Sequence, residues 1–180
     1  MLTTEQEVNI RKLATMIRGI KVAMLTTTGP DGTLRSRPMA SQEADFDGTL
    51  WFFTHASCEK TSEILQNPQV NASYVSTEEH HYVSLTGHAS VVQDREKMQE
   101  LWCPVYRAWF PRGLDDPELA LLRVDVERAE YWDMLSSSMV NLLELDRAAT
   151  PREVIYDDGH AQQATAAAGT ARSGSQECRG

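Results

Sequence analysis

From Lys21 to Asp133 the chain is cut into short extended runs by turn-forming residues, and few stretches carry a helical period. This rhythm restricts the fold to antiparallel sheets that close or stack, because a doubly wound α/β sheet needs a helix after nearly every strand. Lys21 to Thr28 and Thr33 to Ser41 flank the turn signal Gly29-Pro30-Asp31-Gly32 and are read as a hairpin. Thr49 to Thr54, with the apolar run Leu50-Trp51-Phe52-Phe53, is read as the next hairpin partner. Val70 to Ser76 and His81 to Gln93 alternate with period two, and Leu119 to Val126 and Ala129 to Asp133 complete the strands. Helices are expected from the capping box Thr4 and Glu7 onward, from Ala56 to Leu65 before Asn67-Pro68, and from a cap at Asp94 to about Trp102. The fold class expected is mainly β (α+β), an antiparallel barrel with peripheral helices.

At 180 residues the chain is long enough for one domain with its own core. That domain is placed over residues 1–147, and residues 148–180 form a tail whose Ala, Gln, Gly and Ser predict disorder from about residue 157. The 26 acidic against 17 basic residues give a field that repels a polyphosphate backbone, so nucleic acid is not expected as a partner. No apolar run approaches the ~20 residues of a membrane helix, and the N-terminus lacks a signal-type apolar core; a cytoplasmic protein with no membrane association is expected. Cys58, Cys103 and Cys178 are widely spaced and form no C-x-x-C, which argues for free thiols. Adjacent His80 and His81 point to opposite faces of a strand, so no metal site is indicated.

Two segments can hold an anion. Alternation places Arg35, Arg37 and Met39 of Arg35-Ser36-Arg37-Pro38-Met39 on one strand face, where two guanidinium groups need water, an acidic partner such as Glu43 or Asp45, or a phosphate. Phe53-Thr54-His55-Ala56-Ser57-Cys58-Glu59-Lys60 runs from a strand end into a helix start, which offers backbone N–H groups, hydroxyls and a lysine. Ordinary capping with a solvated Lys60 is the competing reading of that segment. Trp102, Tyr106, Trp109, Phe110, Tyr131 and Trp132 suit a core, an interface or a stacking wall for a flat ring.

In their order, Arg35-Ser36-Arg37-Pro38-Met39, Trp51-Phe52-Phe53-Thr54, Cys58-Glu59-Lys60 with Glu63-Ile64, and Asn67-Pro68 resemble the FMN-binding split barrels of pyridoxamine 5′-phosphate oxidases and their relatives. Trp109-Phe110-Pro111, Asp115-Asp116-Pro117 and Tyr131-Trp132-Asp133 are similar to the general stress protein branch of that family. The resemblance implies an antiparallel split β-barrel of about six to seven strands, assembled as a homodimer with FMN in grooves at the subunit interface. It implies phosphate contacts from Arg37 and Lys60, ring contacts from Pro38 and Met39, and further flavin contacts from Thr54, Tyr82 and Trp132. Arg35, Cys58 and Trp109 complete the candidate set. Cys58 stands where many relatives carry Ser, and Glu59 where the oxidases carry a second basic residue. Beside Glu59 and an anion, the Cys58 thiol is expected to have a raised pKa and to be inert.

The oxidases hold their vitamin substrate with an Arg-x-His pair after the tryptophan, whereas this chain reads Asp133-Met134-Leu135-Ser136-Ser137-Ser138. The expectation is therefore a stress-associated flavoprotein, an oxidoreductase of the NAD(P)H:flavin reductase type rather than a vitamin B6 oxidase. Its alternatives are a non-enzymatic flavin carrier or redox sensor, or a reductase using FAD or a deazaflavin on the same fold.

Overall fold

The computed structural model describes residues 4–42, 45–134 and 141–144. In chain order the elements are α1 (Thr4–Ile17), β1 (Val22–Thr28), β2 (Leu34–Ala40), β3 (Thr49–His55), α2 (Glu59–Gln66), β4 (Gln69–Ser76), β5 (His81–Val92), α3 (Arg95–Leu101), β6 (Leu119–Asp133) and β7 (Asn141–Glu144). Between α3 and β6 lie two short 3-10 turns, Pro104–Ala108 and Gly113–Asp115. Asp94 caps α3 as expected, its side chain accepting from the Lys97 N–H at 3.1 Å. The expected tail and its Cys178 lie outside the described residues.

The strands form one antiparallel sheet in the order β2-β1-β4-β5-β6-β3, with β7 pairing to β6. β1 and β2 are the expected hairpin, with Leu25 opposite Arg37 and Met24 opposite Pro38. Pro38 is tolerated because β2 is an edge strand, where a missing N–H breaks no interior ladder. β3 corrects the sequence reading: it pairs with β6, Phe52 opposite Leu122, and not with its chain neighbour β2. Strands β2 and β3 end the sheet path, and curling brings those two edges back together as a half-barrel.

Burial explains this arrangement. Leu50 and Phe52 of β3 point into the main core with Leu25, Ala72, Leu85, Leu122 and Val124. Trp51 and Phe53 face the opposite way, against a second cluster of Met98, Tyr106, Phe110, Leu119 and Leu121. A strand covered on both faces reads as a continuous apolar run, which accounts for Leu50-Trp51-Phe52-Phe53 and for Leu119-Ala120-Leu121-Leu122. α1 closes the other side of the main core through Ile10 and Leu13. Among the described residues no helix is long and apolar enough to cross a membrane, and no group of three His, Cys, Asp or Glu could hold a metal.

The two closing strands read from the sequence are one strand, β6. Its partner register slips between Thr86 and Gly87, Thr86 lying opposite Arg128 and Gly87 opposite Val126. Glu127 is the extra residue of a β-bulge, and the resulting phase change in the apolar alternation mimics a strand end. Gly87 is required there, since a Cβ on it would lie 2.1 Å from the Asp125 carbonyl oxygen and 2.9 Å from Val126 Cα. Gly87→Ala should therefore destabilise the protein by about 1–3 kcal/mol or more, read as a lowered Tm, because backbone and not a side-chain end must move; an unchanged Tm would contradict the bulge geometry.

Candidate functional site

The seam between β2 and β3 opens into a groove of about 930 Å³. Pro38 and Met39 from β2, Thr54 and His55 from β3, and Lys60 from the first turn of α2 line one side. The other side is aromatic and comes from the segment after α3, with Trp102, Tyr106, Trp109 and Phe110. Phe53 joins the two, its ring 5.0 Å from Tyr106 and edge-on to Trp102 at 5.5 Å. His55 lies 4.7 Å from the Phe110 ring, and the Tyr106 hydroxyl donates to Gln42 Oε1 at 3.1 Å, tying this wall to the end of β2. Trp109 is 60% exposed, an apolar ring left at the groove mouth.

Arg35 and Arg37 share one face of β2, as the alternation predicts, but they are not among the residues lining the groove. They meet acidic partners that the sequence reading did not choose. Glu63, 2% exposed, accepts from Arg37 Nη1 at 2.9 Å and from Arg35 Nη1 at 3.0 Å. Thr27 links the pair, donating to Glu63 Oε2 at 2.6 Å while accepting from Arg37 Nη1 at 2.7 Å. Glu59, one helical turn earlier and 68% exposed, pairs with Arg35 and lies 3.6 Å from Arg37 Nη2. Asp45 pairs instead with Arg18, and Glu43 lies outside the described residues. The available signal was the i, i+4 spacing of Glu59 and Glu63, which places both carboxylates on one face of α2.

Chiefly through its bonds from Arg37, against the opposing effect of burial, the Glu63 carboxyl is held below the usual carboxylate range. A depressed folded-state pKa gives stability that is present above the ordinary value near 4.5 and lost as pH falls below it through the folded value. Glu63→Ala leaves two clustered guanidinium groups without their buried partner and should cost about 3–5 kcal/mol. In thermal melts it should also remove part of the wild-type loss of stability below the ordinary carboxylate pKa; a Tm within a degree or so of wild type would show that the cluster does not hold α2.

Cys58 precedes α2, and its sulfur lies 3.1 Å from Thr61 Oγ1, 3.6 Å from Thr54 Oγ1 and 3.3 Å from the donating Lys60 Nζ. Burial pushes the thiol up, but the Thr61 and Thr54 hydroxyls, the Thr61 N–H and the Lys60 ammonium outweigh it and bring the pKa down to about 7. This reverses the sequence expectation, chiefly because the Thr61 and Thr54 hydroxyls bond the sulfur, with Lys60 also turned onto it and Glu59 turned away to the arginines. Iodoacetamide alkylation of Cys58, followed by peptide mass, should rise to half its maximal rate near pH 7, and Lys60→Ala should move that midpoint upward. A midpoint near that of a free thiol in both proteins would contradict the geometry.

Tyr82 and Trp132 lie elsewhere, opposite each other on β5 and β6. Both point to the outer face of the sheet, where Val22, Met24, Leu34 and Val75 also stand exposed. A monomer thus gathers Pro38, Met39, Thr54, Lys60 and Trp109 in the groove, sets Arg35, Arg37 and Cys58 around the start of α2, and holds Tyr82 and Trp132 apart. His55, within the expected anion-site segment, also lines the groove, as do Lys21 and Glu100, which lie in no pattern that marks a site in the sequence.

Comparison with known proteins matches the same architecture. Protein bli-3 of Neurospora crassa is 29% identical over 132 residues, 68% of this chain but 63% of that protein, so the likeness spans less than two thirds of the relative. The crystal structure of a general stress FMN/FAD binding protein from Xanthomonas citri superposes with a TM-score of 0.62 at 30% identity, covering 73% of this chain and 92% of that one. A Clostridium acetobutylicum protein related to general stress protein 26 superposes at 0.63 with 20% identity over 81% of this chain and 98% of that one, a likeness of fold alone. With its split barrel and a match over residues 8–157 to the family described as pyridoxamine 5′-phosphate oxidase like, the chain belongs to that family.

Proposed function

We propose that this chain is a cytoplasmic, stress-associated flavoprotein that binds FMN and works as an oxidoreductase, without oxidising vitamin B6. The observation that carries the reading is the groove itself: mostly apolar, walled by aromatic rings, with Lys60 lining it and the arginine cluster behind the same helix start. Its size falls in the range of about 300–1,000 Å³ common for small-molecule and cofactor sites. These residues fit a flavin. Pro38, Met39 and the Phe53 wall offer flat apolar contact to a ring, Thr54 a hydroxyl, and Lys60 a charge-assisted bond to a phosphate, which Arg37, outside the groove lining beside Glu59, would have to join. Bound FMN would supply hydride and electron transfer, and the protein would position it and exclude water.

The same proposal includes a homodimer. The outer face leaves Val22, Met24, Pro38, Val75 and Tyr82 exposed beside Trp132 and a hydrogen-bonded polar patch of Asn71, Ser73, Ser84 and Thr86, and Val22 and Pro38 belong both to it and to the groove. A second copy seated on this face would bring its Tyr82 and Trp132 to the groove of the first. A carrier or redox sensor is the second reading, favoured by the Cys58 thiol lowered to about 7 beside Lys60.

Arg37→Ala combined with Lys60→Ala should weaken FMN far more than riboflavin in a fluorescence titration, as each charge-assisted phosphate bond contributes roughly 1.5–3 kcal/mol. Equal losses for both flavins would overturn the phosphate assignment. Steady-state oxidation of NADH or NADPH by the FMN-loaded protein separates oxidoreductase from carrier: turnover is expected, and its absence with both donors would favour the carrier.

A further inference from the structure

Glu59 is the one member of the arginine cluster that belongs to the surface. It is 68% exposed, against 2% for Glu63, 24% for Arg37 and 37% for Arg35. The cluster balances two guanidinium groups with two carboxylates, so the arginines present no net positive charge while Glu59 stays in place. The two carboxylates differ in what their removal leaves behind. Displacing Glu63 would strand a buried charge and break the bond from Thr27, whereas Glu59 can turn to water at little cost. Glu59 also precedes Lys60 in the first turn of α2, its carboxylate turned to the arginines while the Lys60 ammonium turns to the Cys58 sulfur.

We propose that Glu59 is a built-in competitor for the ligand's phosphate: a phosphomonoester enters by replacing the Glu59 carboxylate at Arg35 and Arg37, while Glu63 and Thr27 keep both guanidinium groups in place. Glu59 then sets how strongly the site prefers a phosphorylated flavin over an unphosphorylated one. The proposal rests on the phosphate reading given above for Arg37 and Lys60. It gives a physical role to a position where this chain has exchanged a basic residue for an acidic one relative to the oxidases.

The test uses the full chain, Glu59→Gln, and Glu127→Gln as a reference that removes the same charge from β6. Fluorescence titrations with FMN and with riboflavin, and thermal melts with inorganic phosphate, are compared across the three proteins. Glu59→Gln should tighten FMN relative to riboflavin by about fivefold, the scale of one exposed ion pair, and should make phosphate more stabilising. Glu127→Gln should do neither. An FMN-to-riboflavin ratio unchanged or lowered in Glu59→Gln, or raised equally in Glu127→Gln, overturns the exchange while leaving the flavin reading intact. Should no flavin bind any of the proteins, the flavin reading falls, and the phosphate melts alone decide the exchange: a larger shift in Glu59→Gln upholds it, and an equal shift overturns it.

Discussion

The Glu63 carboxylate, closed off from water between Arg35, Arg37 and Thr27, is the contact on which the geometry of the site depends. It bolts α2 across β1 and β2, two strands that share no ladder with β3 although β3 leads directly into that helix. With α2 held at Glu63, its first turn lies at the seam, where Lys60 lines the groove and Cys58 has Thr54, Thr61 and the Lys60 ammonium around its sulfur. A buried ion cluster of this kind is a costly way to gain stability, since its desolvation offsets much of the attraction. Its product is position: two arginines are held in one orientation against the start of α2.

The seam has its own cause. Closing a six-strand path on itself would pair β2 with β3, but Pro38 on β2 removes a donor and the aromatic segment after α3 fills the space on the β3 side. The edges approach without forming a ladder, and the gap is the groove. Because β3 and the start of β6 are covered on both faces while the outer faces of β1, β2, β4 and β5 are not, the molecule has one covered side and one open side of mixed apolar and polar residues. The outer face that a second subunit would cover is continuous with the groove that a flavin would fill.

Much of this could be read from the residues in order. Alternation put Arg35, Arg37 and Met39 on one face, turn residues defined the β1–β2 hairpin, and the Asp94 cap was visible. Harder to read were the features set by distant chain segments. β3 pairs across the sheet because its two apolar faces need two covers, and local patterning cannot tell which strand provides one. The bulge at Gly87 disguised β6 as two strands. Glu63 looked like an ordinary helix residue until the helix was laid against β2, and the sign of the Cys58 shift depended chiefly on the Thr61 and Thr54 hydroxyls that the fold brings to its sulfur.

The central claim is that the groove at this seam binds a flavin. Its most direct measurement is a fluorescence titration of the purified full-length chain with FMN, FAD and a deazaflavin, alongside the absorption spectrum of the protein as isolated. The account predicts saturable quenching by FMN approaching one flavin per chain, with a yellow protein whenever cofactor is retained. A colourless protein whose titrations with all three flavins remain flat would contradict it.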